Sequence, residues 1–175
     1  KGVTLIDEAY IDFAAEGSMK ESLGKFPNLI VMQTFSKAFG MASVRVGMAF
    51  TSPTIVRYFN KMKPPYNIST ITQKVVLRRI RRISIYEEQV RQIKEERARL
   101  SSELKKMSAV VKVFPSDANF LLVKVINANN IYNYLINNGI IVRNRSSIVE
   151  NCLRITVGTR SENNKLLKAL KSYES

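Results

Sequence analysis

Residues 28–51 read NLIVMQTFSKAFGMASVRVGMAFT, and the order of textures within them decides the fold. Residues 28–33 are a β-branched apolar run without alternation, the pattern of a strand buried on both faces. Residues 46–51, VGMAFT, read as another such strand, and between the two lies Lys37, flanked by Thr34, Ser36 and Gly40 and followed by Arg45. Upstream, residues 2–7 repeat the texture and end on Asp7, with Tyr10 three residues beyond. The polar stretch that follows, with Gly17, Gly24 and Pro27, suits a connection across one sheet. A buried parallel strand that starts at the second residue has nothing before it to pair against, so sequence upstream of the chain is expected.

Working outward, Ser52-Pro53 starts a helix in which Ile55, Val56, Phe59 and Met62 fall at helical spacing, until Pro64-Pro65 ends it. From Ser69 to Met107 the pattern stays helical, with a kink expected at the ISI segment around Ser84. Arginines and lysines there interleave with Glu87, Glu88, Glu95 and Glu96, which provides i,i+4 ion pairs along a solvated helix. After Met107 come strands at VVKVF, NFLLVKV, IIVR (residues 140–143) and CLRITVG. Helices over NNIYNYLINN and 161–173 alternate with them. Such a series implies a small α+β domain. The division predicted is 1–68 as part of an α/β domain with a mostly parallel sheet, 69–107 as a helical connection, and 108–175 as the small domain.

With 175 residues, 45% hydrophobic and 24% charged, the composition is that of a folded chain. A single cysteine, Cys152, and no histidine exclude an internal disulfide, a Cys/His zinc cluster and a histidine triad. The sequence shows no membrane-spanning run and no secretory leader, so the cytoplasm is the expected location. The formal charge of +14, with the RRIRR cluster at 78–82, raises a nucleic-acid alternative. Against it, Tyr86 is the nearest aromatic to that basic helix and no nucleic-acid motif occurs. A solvated surface accounts for the charge more simply.

Chemistry must then rest on lysine, tyrosine, acids or a cofactor. A lysine amine at the end of a buried strand among apolar neighbours is expected to be partly desolvated, which favours the neutral, nucleophilic form that bonds an aldehyde. That is the requirement of pyridoxal phosphate (PLP). Thr34, Ser36 and Arg45 can hold a phosphate by charge-assisted hydrogen bonds. Asp7 can keep a pyridine nitrogen protonated, and Tyr10 can bond the ring's phenolate oxygen.

The segments DEAYIDF, NLIVMQTFSKAFGMASVRVGMAF, KPPYN, GIIVRNR and CLRITVGT, in this order, resemble the histidinol-phosphate aminotransferases, within the fold-type I PLP enzymes, along essentially the whole chain. The resemblance implies Lys37 as the cofactor-bonding lysine, Asp7 and Tyr10 on the ring, and Ser36 and Arg45 at the phosphate. It further implies Arg154 on a substrate carboxylate and Arg143 on a substrate phosphate. It implies transamination between histidinol phosphate and 2-oxoglutarate, small-molecule substrates, and a homodimer with Tyr66 and Asn67 facing the partner's site. A transaminase or decarboxylase of aromatic amino acids or threonine phosphate on the same fold is the alternative. One departure is local: Met41-Ala42-Ser43-Val44 stands where the family commonly has leucine-alanine-glycine. A broader one is that the family's small-residue phosphate loop, ring-stacking aromatic and asparagine, which precede these motifs, are not in the chain.

Overall fold

The computed structural model describes residues 2–174. Its internal contacts divide into two units, one running up to Val90 and the other from Arg91 onward.

The first unit is built on a sheet of β1 (Thr4–Asp7), β2 (Leu29–Thr34) and β3 (Gly47–Thr51), in that spatial order. β1 runs parallel to β2 and β3 antiparallel to it, so the sheet is mixed. Leu29, Ile30 and Val31 are buried, as the apolar run requires. The run at residues 2–7 does pair in parallel, as the outer strand of this three-stranded sheet, and with nothing beyond it to pair against among the described residues, its Val3 and Leu5 are more than half exposed. An apolar run reports what burial its residues suit, whereas strand order is set by pairing, which leaves no local signal.

Helix α1 (Pro53–Met62) starts with proline in its first turn, as Ser52-Pro53 predicts. The 69–107 stretch resolves into α2 (Thr70–Ile80) and α3 (Ile83–Leu104). The break falls at Arg81-Arg82, just ahead of the kink expected at Ser84. Ser69 caps α2 by accepting the Thr72 N–H at 3.1 Å. The helical stretch serves both units. Val76 packs with Phe35, Met41 and Val46 in the first, while Leu100 and Leu104 are fully buried in the second.

The second unit has an antiparallel sheet in the order β4 (Val110–Val113), β5 (Phe120–Val125), β7 (Cys152–Thr156), β6 (Arg143–Asn144). Helices α4 (Ala128–Asn137) and α5 (Arg160–Glu174) complete it. Leu121, Val123 and Val125 alternate into a core shared with Ile131, Leu135, Leu166 and Leu170, whereas Phe120, Leu122 and Lys124 face the other way and are half-buried. The strand expected at 140–143 is shorter and later, Arg143–Asn144. Its start is taken up by the end of α4, where Gly139 adopts φ +71° and the Ile140 N–H donates back to the Leu135 carbonyl at 2.8 Å. That closure of the helix uses a donor which a longer strand would need.

A polar peg fixes the entry to α5. Asn163, 2% exposed, accepts the Gly158 N–H at 3.0 Å and donates to the Gly158 carbonyl at 2.9 Å and to Glu96 Oε2 at 3.0 Å. Asn163→Ala strands these groups and should lower stability by about 1–3 kcal/mol. A urea midpoint unchanged from the wild type would refute that account.

Candidate active site

The C-terminal ends of the parallel strands β1 and β2 meet at one edge of the first sheet, and β3, running antiparallel, begins there. Asp7 is the last residue of β1, Thr34 the last of β2, and Thr34 pairs with Gly47. Tyr10, Ser36, Lys37 and Arg45 follow or precede these positions within a few residues. The register thus gathers all six sequence-identified residues of this unit, Asp7, Tyr10, Thr34, Ser36, Lys37 and Arg45, at one end of the sheet.

Lys37 lies in a tight turn closed by the Gly40 N–H on the Lys37 carbonyl at 3.0 Å and the Met41 N–H on the Phe35 carbonyl at 3.0 Å. Gly40 takes φ +68°, the left-handed conformation that glycine adopts without strain. The Lys37 Nζ stands 5.2 Å from the centre of the Tyr10 ring. Contrary to the desolvation expected, the lysine side chain is exposed, because the buried apolar residues of the turn, Phe35 and Ala38, point away from it into the unit.

The hydroxyls are arranged by the turn itself. Thr34 Oγ1 accepts the Ser36 N–H at 3.0 Å and lies 3.0 Å from Ser36 Oγ and 3.2 Å from the Val46 carbonyl. Thr34 therefore holds Ser36 in place. Arg45 adopts φ 53° and ψ 46° and donates from Nη1 to the Ala42 carbonyl at 2.9 Å. A left-handed arginine costs about 1–2 kcal/mol, and such strain persists where surrounding structure fixes it. The Met41-Ala42-Ser43-Val44 departure is absorbed locally, with Met41 buried beside Phe35 and Val46 and a 3-10 turn at Ala42–Val44.

Sequence reasoning missed Glu8. Asp7 is exposed, its Oδ1 accepting the Ala9 N–H at 2.9 Å, but the next side chain turns inward and is 7% exposed. Glu8 accepts from Ser18 Oγ at 2.6 Å, the Met19 N–H at 2.7 Å and Gln33 Nε2 at 2.9 Å. Burial pushes its carboxyl up, yet these hydrogen bonds and the charge of Lys20 outweigh it and hold the group below the ordinary glutamate value. The signal was alternation: adjacent acids at a strand end face opposite ways.

In the second unit, Arg143 and Arg154 are direct cross-strand partners on β6 and β7. Both side chains therefore project from the same face of that sheet, opposite the face carrying Leu153 and Ile155. The Arg154 guanidinium lies 5.0 Å from the centre of the Phe120 ring, and its Nε is buried without a hydrogen-bond partner. Neither arginine is paired with a carboxylate among the described residues. Like charges directly opposite are unfavourable, and an orphaned buried donor adds to that cost. An anion would relieve both.

Beyond the carboxyl ends of parallel strands is where open α/β sheets bind ligands, so the first unit is an α/β sheet with a lysine at its candidate ligand-binding end. The chain belongs to the aminotransferase class I and II family, whose model matches residues 1–170. It is 51% identical to histidinol-phosphate aminotransferase of Bacteroides fragilis over 99% of this chain and 51% of that protein. It is 31% identical to a decarboxylase from Sulfurospirillum multivorans, with a TM-score of 0.87 over 99% of this chain and 53% of the other. A crystal structure of histidinol-phosphate aminotransferase from Sinorhizobium meliloti in complex with pyridoxal-5'-phosphate matches at 26% identity. Its TM-score is 0.83 over 98% of this chain and 49% of that one. The chain spans about half the length of the curated relatives it matches. No described helix is long and apolar enough to cross a membrane.

Because the Glu8 carboxyl is held below its ordinary value, its charged form stabilises the fold above that value, and the contribution is lost as pH falls through the lowered one. Glu8→Ala at neutral pH should cost about 1–3 kcal/mol by leaving its donors unmet. Glu8→Gln should flatten the loss of stability between pH 7 and acid conditions. Urea midpoints across pH that fall in parallel for Glu8→Gln and wild type would remove this role.

Proposed function

We propose that this chain carries the cofactor-bonding lysine of a PLP-dependent aminotransferase that exchanges an amino group between histidinol phosphate and 2-oxoglutarate. The observation that carries the reading is the convergence of Lys37, Asp7 and Tyr10 at one sheet end. The 51% identity to a protein of that name supports it. The donor set suits the cofactor: an accessible amine, an exposed carboxylate, a phenol beside the amine, and hydroxyls with a guanidinium for a phosphate. Bound PLP supplies an electron sink for charge developing at the substrate α-carbon.

In this reading Lys37 would be the residue that holds the cofactor through its Nζ, and the same amine would carry the proton to and from the substrate α-carbon. Asp7 keeps the ring nitrogen protonated, Tyr10 holds the ring oxygen, and Ser36 and Arg45, steadied by Thr34, hold the phosphate. The arginine pair takes the anionic groups of the substrates. Arg154 grips the glutamate carboxylate, and Arg143 beside it provides the second cation that a phosphate uses. We further propose a division into 1–68, 69–107 and 108–175. The protein works as a cytoplasmic homodimer on small molecules, with Tyr66 and Asn67 facing the partner. The likeness to a decarboxylase supports the alternative on the same lysine, a transaminase or decarboxylase of aromatic amino acids or threonine phosphate.

Incubation with PLP followed by borohydride should leave a phosphopyridoxyl group on Lys37, read by peptide mass, and none in Lys37→Ala. Labelling spread over other lysines would overturn the assignment. In the transamination assay, Arg143→Ala should raise KM for histidinol phosphate by about 10-fold or more, the worth of a charge-assisted hydrogen bond. KM for glutamate should move much less. Equal effects on both substrates would overturn the phosphate role of Arg143.

A further inference from the structure

Tyr86, in the first turn of α3, touches both loops that frame the candidate site. Its hydroxyl donates to Asp12 Oδ1 at 2.5 Å, and Asp12 lies in the 3-10 turn Ile11–Phe13 that Tyr10 leads into. Its ring stacks on Phe39, with centroids 4.1 Å apart and planes 15° from parallel, and Phe39 stands two residues past Lys37. Phe39 in turn meets Phe35 edge-on at 5.0 Å, and Phe35 is buried with Met41, Val46 and Val76. One side chain thus bridges the loop of Tyr10 and the turn of Lys37, which have no strand pairing with each other past Asp7 and Met32.

We infer that Tyr86 is a positioning residue, which fixes the Tyr10 loop against the Lys37 turn and so sets where the lysine amine stands relative to the phenol. The hydrogen bond supplies direction and the stack supplies area, and aromatic pairs of this geometry add to simple burial. Burial, then the bond to Asp12 and its negative charge, hold the Tyr86 phenol protonated, so it remains a donor at working pH. None of the residues of this brace meets the cofactor or substrate in the proposed reaction. The assignment rests on that reaction only for its consequence at Lys37.

The brace makes separate demands on each contact. In the protein without PLP, Tyr86→Phe and Asp12→Ala should speed amide exchange in residues 8–13 and 35–41 by about threefold to tenfold, the factor a single hydrogen bond is worth. Phe39→Leu should do so mainly in 35–41. Asp12→Asn keeps an accepting carbonyl oxygen and should restore slow exchange. In the loaded protein, Tyr86→Phe and Asp12→Ala should cut borohydride-trapped labelling of Lys37 by a similar factor, Asp12→Asn should rescue it, and the double variant should be no worse than either single one. Unchanged exchange in Tyr86→Phe overturns the brace. Faster exchange with labelling unchanged overturns the positioning role. If the wild-type protein takes no label on Lys37, the proposed reaction falls while the exchange data still decide the brace.

Discussion

The pairing of β2 with β3 at its Thr34–Gly47 end is the constraint from which the first unit follows. It is extended by the Phe35 N–H on the Val46 carbonyl at 3.2 Å, which pinches shut the segment carrying Lys37. A side chain at Gly47 would stand 3.3 Å from the Gln33 carbonyl, so the strands approach here as closely as a glycine allows. With the ends of that segment fixed, its apolar residues Phe35, Ala38 and Met41 turn into the unit and its polar ones, Ser36, Lys37 and Arg45, are left at the rim. Burial of the first set thereby orients the second. The placement of the rim side chains depends on packing inside the unit.

The chain's excess of positive charge, +14, is handled in two ways. Along α3 it is matched locally, with Arg91 on Glu95 at 2.6 Å and Arg99 on Glu96 at 2.7 Å, the i,i+4 and i,i+3 pairs that a helix offers. The exposed Arg91–Glu95 pair contributes little to stability, whereas Arg99–Glu96 is largely covered and shares Glu96 with the buried Asn163. At Arg143 and Arg154 it is left unmatched, and the stack on Phe120 holds one guanidinium in place without neutralising it. Paired across two strands without a carboxylate, these cations would be relieved by an anion. The proportion of charge therefore says little, and its placement says much.

Legibility divided along the same physical line. Strands at residues 2–7, 28–33 and 46–51, the helix after Ser52 and the two-layer second unit could be read because apolar period and turn chemistry are local. Asp7, Tyr10, Thr34, Ser36, Lys37, Arg45, Arg143 and Arg154 could be named because motif and strand-end position are also local, and the register then gathered them into two groups. What escaped depends on partners distant in sequence. Tyr86 meets Asp12 across 74 residues and Glu8 meets Gln33 across 25. The reversed direction of β3 and the exposure of Lys37 in this chain likewise follow from how segments assemble. A run such as Ile140–Arg143 failed for a subtler reason, since the end of the preceding helix had already claimed its first N–H.

The exposure of Lys37 shifts the argument about selectivity. Were this amine distinguished by desolvation alone, it would differ little here from the other exposed lysines among the chain's 28 basic residues. Its distinction is positional: a phenol ring at 5.2 Å, a carboxylate at the end of the neighbouring strand, and hydroxyls tied into the same turn. Holding groups in a reactive arrangement can replace several kcal/mol of intrinsic reactivity, because the entropy of bringing them together is already lost on folding. In the proposed reaction, the nucleophilic character of Lys37 is therefore a matter of placement. The Glu8 network beside Asp7 and the aromatic stack behind Lys37 belong to that placement, because each ties a strand-end loop to residues distant in sequence.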